Sequence, residues 1–322
     1  MTDSMHAVRY HELGDEEVLK HETAPIPEPE ADEVLLRVEA AGVNPIDWKT
    51  RDPENAGLGQ NVRSLNEDVS FPITPGWDVS GSVEALGEDV SSWEVGEEVY
   101  GMLRFPTLAG TYAEYVTAPA DEIARKPSSL SHSEAAAVPM VSLTAWQALF
   151  DAPDVSDGDR VLVHAAAGGV GHMGVQFAHE HDAHVIGTAS GSNEAYLREL
   201  GVDEFVNYRE ENFEEVLDPV DVVIDPVGGE TLTKSFEVLT DGGVLVSLLR
   251  EPEQEKADQY NVEGKLVFVE PNAEYLNQIR TLIDDGDVRP HIRETFPLEE
   301  VVEAHRLVQK GHGRGKVVLP IN

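Results

Sequence analysis

Chemistry enters this chain through residues 160–171, RVLVHAAAGGVG, where an apolar run turns through glycines into a helix-like pattern. Backbone amides at the start of such a helix can face a pyrophosphate, because they lack partners inside the helix and carry the positive end of its dipole. A dinucleotide fingerprint of the type G-x-G-x-x-G would need glycine at 166, 168 and 171. Gly168 and Gly171 are present, and Ala166 holds the first place. A second grouping, His179, His181 and His184, spells H-E-H-x-x-H. Zinc-binding helices place their histidines four apart on one face. Here the run straddles a predicted helix end and strand start, so no metal site is expected from it.

A glycine fingerprint means little without the sheet that presents it. From residue 160 onward, strand-like and helix-like stretches alternate. Strands are predicted at 160–164, 184–188, 204–208, 220–225, 243–247 and 265–269, with helices after Gly171, at 193–200, at 211–217 and after the turn Pro226-Val227-Gly228-Gly229. Parallel strands joined by helical crossovers make a doubly wound sheet, and the glycine turn follows its first strand. The chain before about residue 124 reads differently. Short β-type stretches at 5–10, 33–41, 79–86, 95–101 and 110–116, broken by Gly and Pro, suggest a compact barrel-like domain. Within it, residues 41–51, AGVNPIDWKTR, read as a turn-rich segment, and residues 52–71 as a polar surface loop. Ser131 and Glu134 have the spacing of a capping box, so an interrupted helix is expected from Ser131 to about Trp146. The tail, 273–322, holds two amphipathic helices and a last strand at 316–319, expected to return to the N-terminal domain. The expected division is a catalytic domain of residues 1–123 and 271–322 around a dinucleotide-binding domain of residues 124–270.

In chain order, AGVNPIDWK, FPITPGWDVSGSV, GTYAEYV, TAW, VHAAAGGVG, DPVGG and a C-terminal GKVVL resemble the medium-chain dehydrogenase/reductase superfamily, and within it the zinc-independent quinone oxidoreductase branch. The resemblance covers nearly the whole chain. It implies an α/β protein: a GroES-like β-barrel catalytic domain plus a Rossmann doubly wound parallel sheet. The activity implied is hydride transfer from a nicotinamide to a quinone, or to the β-carbon of an activated enone or enoyl thioester. The residues leave these two open, together with a protein that binds NADPH without turnover. Where zinc-dependent relatives place a ligating cysteine, this chain has Asn44; where they have His-Glu it has Trp77-Asp78, and the third ligand position falls near Met140. Tryptophan and methionine do not replace imidazole and thiolate around zinc, so no metal is expected.

The resemblance also assigns a site. The amides of Gly168, Gly169, Val170 and Gly171 would take the pyrophosphate. Asn44 and Thr144 would lie near the nicotinamide, with Val227 and Ser247 beside the ring and ribose. On residue chemistry alone, Asn44 before proline could equally make an Asx turn, and Thr144 could cap a helix. Lys49 and Tyr112 join Asn44 as catalytic candidates, each a possible proton contributor, although a quinone reduced by hydride can take its proton from solvent. NAD-binding sheets usually carry an acid about 20 residues beyond the fingerprint. Here the second strand ends in Thr188-Ala189-Ser190-Gly191-Ser192-Asn193, with no acid. Ser190 and Asn193 leave room for a 2′-phosphate, and Tyr208-Arg209 after the third strand resembles the family's NADPH pattern. The basic residue that many relatives carry at 190–194 is missing. NADPH is the expected cofactor. A homodimer through the last strands of the cofactor domain, around residues 265–269, is implied as well.

Composition sets the surroundings. The chain has 322 residues, enough for two domains with sizeable cores. No apolar run approaches the roughly 18–20 residues of a membrane span, and MTDSMHAVRY lacks a basic region followed by an apolar stretch. A cytoplasmic protein is expected. There are no cysteines, hence no disulfide and no cysteine-ligated zinc. The charge is extreme, 61 acidic residues against 23 basic ones for a net −38, and only 8 of the basic residues are lysine. The acids are spread along the chain, as at 28–33, 94–98, 210–215 and 294–303. Such a charge disfavours nucleic-acid binding. It fits a protein that works in concentrated salt, where screening removes most self-repulsion. The expected outcome is a melting temperature that rises from low to about molar potassium chloride; an unchanged value contradicts salt adaptation.

Overall fold

The computed structural model describes residues 4–55, 57–65 and 70–321. Two compact units are present. One comprises the chain up to Leu143, Glu270–Gly286 and the chain from Pro290 on; the other comprises Thr144–Val269 and Asp287–Arg289. The division therefore falls inside the helix Pro139–Trp146, later than the change of pattern at residue 124 suggests.

The first unit is built on the strand Glu33–Val43, whose sequence EVLLRVEAAGV buries Val34, Leu36, Val38 and Ala40. Along one edge it pairs antiparallel with Asp78–Leu86. The other edge is shared: Tyr115–Pro119 lies opposite residues 33–37, and Lys316–Pro320 lies opposite residues 40–43. Ile292–Thr295, Glu98–Met102 and Ile123–Arg125 complete a seven-stranded sheet, and Ser4–Arg9 with Lys20–Pro25 forms a separate hairpin. Val8, Leu36, Val79, Val99, Ile123 and Leu319 meet in the core beneath the sheet. Each such side chain stabilises the fold by about 1.5–3 kcal/mol through removal from water.

Several local expectations change. Residues 41–51 are not a turn: Pro45–Arg51 is a helix capped by Asn44, with proline at its first position and Asp47 in its first turn. The loop expected at 52–71 contains a helix, Leu58–Leu65; Ala56 and residues 66–69 lie outside the described residues. Arg63 explains that helix. Its guanidinium donates to the carbonyls of Lys49, Thr50, Asp52 and Asn55 at 2.8–3.1 Å, so it caps the end of the preceding helix and pins its own in place. The strand expected at 110–116 forms instead at Tyr115–Pro119, with Ala113 making only an isolated bridge to Ala7. Ser131 and Glu134 do form a capping box, on His132–Ala136. The helix then breaks before Pro139, which has no N–H to continue the ladder and disfavours helix in the residue before it. In the tail, Ala273–Asp285 and Val301–Gln309 are the two amphipathic helices, and Lys316–Pro320 joins the first unit. The strand Ile292–Thr295, parallel to it, was not anticipated.

The second unit is a parallel sheet of six strands in the order Glu204–Asn207, His184–Ala189, Arg160–Val163, Val220–Asp225, Leu239–Ser247, Glu263–Leu266. This is the doubly wound order, reversing direction beside the first strand. The sixth strand is shifted toward the N-terminus from the expected 265–269, although Val267 still donates to Ser247 O at 3.0 Å. Leu162, Ile186, Val206, Val223, Phe236 and Leu245 form its core. Among the described residues no helix is long and apolar enough to cross a membrane.

Candidate active site

In the second unit the first strand ends at Val163, and the helix Gly169–Glu180 opens with Gly168 as its N-cap. The first internal bond of that helix runs from His172 N to Gly168 O at 3.0 Å, so the amides of Gly169, Val170 and Gly171 precede its ladder. Gly171 is fixed by crowding. A Cβ there would lie 2.4 Å from Ala165 O and 2.7 Å from Ala166 Cα, both backbone atoms that cannot step aside. Ala166 needs no glycine. The left-handed residue of the turn is Ala165, at φ 46°, while Ala166 is fully buried and its N–H donates to Thr188 O at 3.0 Å.

Strand register brings the next candidates together. Ala189 lies opposite Asn207, and Tyr208 N donates to Ala189 O at 3.3 Å, so Ser190 and Tyr208 leave the sheet side by side at its carboxyl end. Ser190 begins a short turn in which Asn193 Nδ2 donates to its hydroxyl at 3.1 Å and the Ser192 hydroxyl lies 3.3 Å from it. The Arg209 guanidinium lies 5.8 Å from the centre of the Tyr208 ring. It makes no ion pair among the described residues.

The turn after the fourth strand is held by Asp225, whose Oδ1 accepts from Val227 N at 2.6 Å and Gly228 N at 2.9 Å, and Val227 is left exposed. Ser247 is fully buried, and its hydroxyl oxygen accepts from Leu249 N and Arg250 N at 3.3 and 3.4 Å. It shapes a turn rather than offering a free side chain. Thr144 lies inside Pro139–Trp146, which removes the capping alternative. The three histidines go different ways: His181 Nδ1 bonds Phe177 O at 2.8 Å, His184 Nε2 meets Glu204 at 2.6 Å, and His179 is exposed on the helix end.

The first unit holds a buried polar cluster of its own at the end of its central strand. Antiparallel register sets Val317 opposite Val43 and Asp78 opposite Gly42, so Lys316 and Asp78 flank Asn44 from two neighbouring strands. Gly42 makes the room, since a Cβ there would come within 2.9 Å of the Asp78 carboxylate and 2.4 Å of Ala136 O. Lys316 Nζ donates to Val43 O at 2.9 Å and to Asn44 Oδ1, and lies 3.6 Å from Asp78 Oδ2. Asn44 Nδ2 donates to Asp78 Oδ2 at 2.8 Å, and Met140 N to Asp78 Oδ1 at 2.8 Å. Asp47 Oδ2 accepts from Asn44 N at 2.5 Å and from the Tyr112 hydroxyl at 2.9 Å. Burial pushes the Asp78 carboxyl up and the Lys316 ammonium down, each offset by the charge of the other.

Sequence reading singled out Asn44 but missed that Asp47, Asp78 and Lys316 share its surroundings. The available signal is a charge at the rim of an apolar run: Lys316 before VVL, and Asp78 before VSGSV. The Asx-turn alternative for Asn44 gives way to a helix N-cap whose side-chain oxygen and nitrogen both have buried partners. The other two catalytic candidates have different surroundings. Tyr112 is completely buried, with its ring edge-on to His305 and its hydroxyl committed to Asp47, and burial holds the phenol well above its ordinary range. Lys49 places its ammonium 5.8 Å from the Trp48 ring centre, and burial holds it below the usual lysine range.

Asp47 supplies a pH test. Burial raises its carboxyl from 3.8 to about 7, against the lowering effect of its hydrogen bonds and of Lys316. A native pKa above the unfolded one means that its stabilising contribution is complete below about pH 4 and is lost as pH climbs through about 7. Asp47→Asn keeps an oxygen for Tyr112 and Asn44 and cannot ionise. Between about pH 5 and about pH 8 the unfolding free energy of this variant should therefore gain on the parent by roughly 2–3 kcal/mol, read from urea melts. A constant difference across that range contradicts an Asp47 that titrates there. His164 and His305, each held neutral by burial, belong to both proteins and cancel.

The chain is similar to known proteins over nearly its whole length. The family "Alcohol dehydrogenase GroES-like domain" matches residues 30–128, and "Zinc-binding dehydrogenase" matches residues 200–319. The quinone oxidoreductase of Mus musculus is 32% identical, over 98% of this chain and 97% of that protein. The 2-methylene-furan-3-one reductase of Solanum lycopersicum is 35% identical, over 98% of this chain and 79% of its own. The structure of the quinone oxidoreductase from Coxiella burnetii superposes with a TM-score of 0.92 at 38% identity, covering 99% of this chain and 100% of that one. The zinc in the second family's description does not fit these residues. Trp77 is buried and donates its indole N–H to Thr107 O at 2.8 Å, the cation beside Asp78 is a lysine, and no group of three metal-binding side chains exists among the described residues. A glycine-turn dinucleotide sheet, a GroES-like unit and these relatives make the chain a member of the medium-chain dehydrogenase/reductase superfamily, a nicotinamide-dependent oxidoreductase related to the quinone oxidoreductases.

Proposed function

We propose that the chain reduces quinones with NADPH. The observation that carries the cofactor choice is Arg209. In a protein of net charge −38, its guanidinium rests on Tyr208 without a carboxylate partner among the described residues, beside a second strand that ends in Ser190 instead of an acid. A 2′-phosphate meets a cation, two serine hydroxyls and the Asn193 amide there, whereas a free ribose diol meets no carboxylate. Bound NADPH supplies the hydride. The protein's part is to hold and to orient. Gly169, Val170 and Gly171 present amides to the pyrophosphate, while Gly168, expected to join them, gives its own N–H to Ala165 O at 2.8 Å; Thr144, Val227 and Ser247 bound the nicotinamide end, and Asn44 offers its amide to the reacting groups. Solvent supplies the proton to a reduced quinone, so Lys49 and Tyr112 are dispensable as acids.

The relatives named quinone oxidoreductase, in Mus musculus and Coxiella burnetii, support the acceptor. The Solanum lycopersicum relative, named for an enone, supports a second acceptor class served by the same site. The reading includes a cytoplasmic homodimer joined through Glu263–Leu266, the edge strand of its sheet, where Leu266 is exposed. Light scattering at twice the chain mass agrees with that arrangement, and a monomer at micromolar concentration rejects it.

Initial rates with NADPH and NADH against a panel of quinones and enones, in about molar salt, test the function. The expected result is quinone-dependent oxidation that favours NADPH. Arg209→Ala should raise KM for NADPH about tenfold or more and leave NADH kinetics unchanged, the scale of a lost charged hydrogen bond. Equal efficiency with NADH rejects the cofactor choice. Tight NADPH binding without turnover of any acceptor rejects the enzyme.

A further inference from the structure

We propose that Lys316 and Asp78 are positioning residues that lock the Asn44 amide in one orientation, so that its remaining N–H is a fixed donor to a carbonyl oxygen in the site. The inference rests on the reading above in which Asn44 serves the reaction. An ammonium has only donors and a carboxylate only acceptors. Lys316 donates to Asn44 Oδ1, and Asp78 Oδ2 accepts from Asn44 Nδ2 at 2.8 Å. A flipped amide would set NH₂ against the ammonium and oxygen against the carboxylate, both repulsive in a fully buried place.

The flanking charges are themselves immobile. Lys316 is held by Val43 O at 2.9 Å, and Asp78 by Met140 N at 2.8 Å. The main chain of Asn44 is fixed as well, with its N–H given to Asp47 at 2.5 Å and its carbonyl accepting from Asp47 N at 3.1 Å. Nδ2 carries two N–H groups and Asp78 Oδ2 accepts from it, which leaves one donor whose direction the ion pair dictates. A carbonyl oxygen is the matching chemistry, either that of the acceptor, which gathers negative charge as hydride arrives, or that of the nicotinamide carboxamide.

The test compares the full-length parent, Asn44→Ala, the pair variant Asp78→Asn with Lys316→Met, and the triple variant. The pair variant removes both charges together and strands no buried ion. With its oxygen held by Met140 N, the amide that replaces the Asp78 carboxylate turns its NH₂ toward Asn44 and no longer accepts from Nδ2, so the orientation dictated by the ion pair is lost. Thermal melts establish folding, NADPH titration gives cofactor affinity, and quinone kinetics give kcat and KM separately. The pair variant should lose about tenfold or more in kcat/KM, the scale of a misplaced reacting group, and Asn44→Ala on top of it should cost nothing further. Loss confined to quinone kinetics identifies the acceptor carbonyl; loss of NADPH affinity identifies the carboxamide. A folded pair variant with parental kinetics overturns the inference, and so does a loss that multiplies with that of Asn44→Ala. Parental kinetics in Asn44→Ala alone instead reject the role of Asn44. If the pair variant does not melt cooperatively, Asp78→Asn with Lys316→Gln, which carries no charge and keeps a donor at residue 316, is judged by the same criteria.

Discussion

A lysine ammonium and an aspartate carboxylate sealed inside a protein must each forgo hydration worth several kcal/mol, and they are tolerated only when hydrogen bonds replace it. Lys316 and Asp78 satisfy that condition through Val43 O, Asn44 and the Met140 amide. Much of the first unit follows from it. The strand Glu33–Val43 yields half of one edge to the C-terminal strand, which brings Lys316 opposite Asn44. Residue 42 is glycine because Ala136 O and the Asp78 side chain both crowd the place of a Cβ. A chain end that could have been an independent tail is thereby bound to a strand far earlier in the sequence.

The same cluster separates this chain from relatives that use a metal. Asp78 has a cation beside it, but that cation is built into the polypeptide, and Trp77 and Met140 offer no imidazole or thiolate around it. What remains in the cluster is directional hydrogen bonding, a task of placement. Asp47 extends the network, with the Tyr112 phenol donating inward to it.

Legibility in the sequence followed the range of the interactions. The glycine turn was readable because strand, glycines and helix are contiguous, and the six-stranded sheet was readable from the alternation after residue 160. Ala166 in a glycine position was readable as a departure but not as a solution, since the positive φ sits one residue earlier, on Ala165. The helix Pro45–Arg51 carried its signals, a capping asparagine, proline first and aspartate in the first turn, yet its brevity made it resemble a turn. Leu58–Leu65 was hidden because it depends on Arg63 reaching carbonyls up to 14 residues away. The buried cluster was the least readable part. Lys316 and Asn44 are 272 residues apart, and only strand register makes them neighbours.

Lys316, built into the chain, provides the positive charge beside Asp78. Elemental analysis of the purified, active protein, with turnover measured before and after exhaustive chelation, tests whether a metal takes part as well. The expected result is zinc far below one equivalent per chain and turnover unchanged by the chelator. Zinc at one equivalent, whose removal abolishes turnover and whose return restores it, overturns a metal-free site.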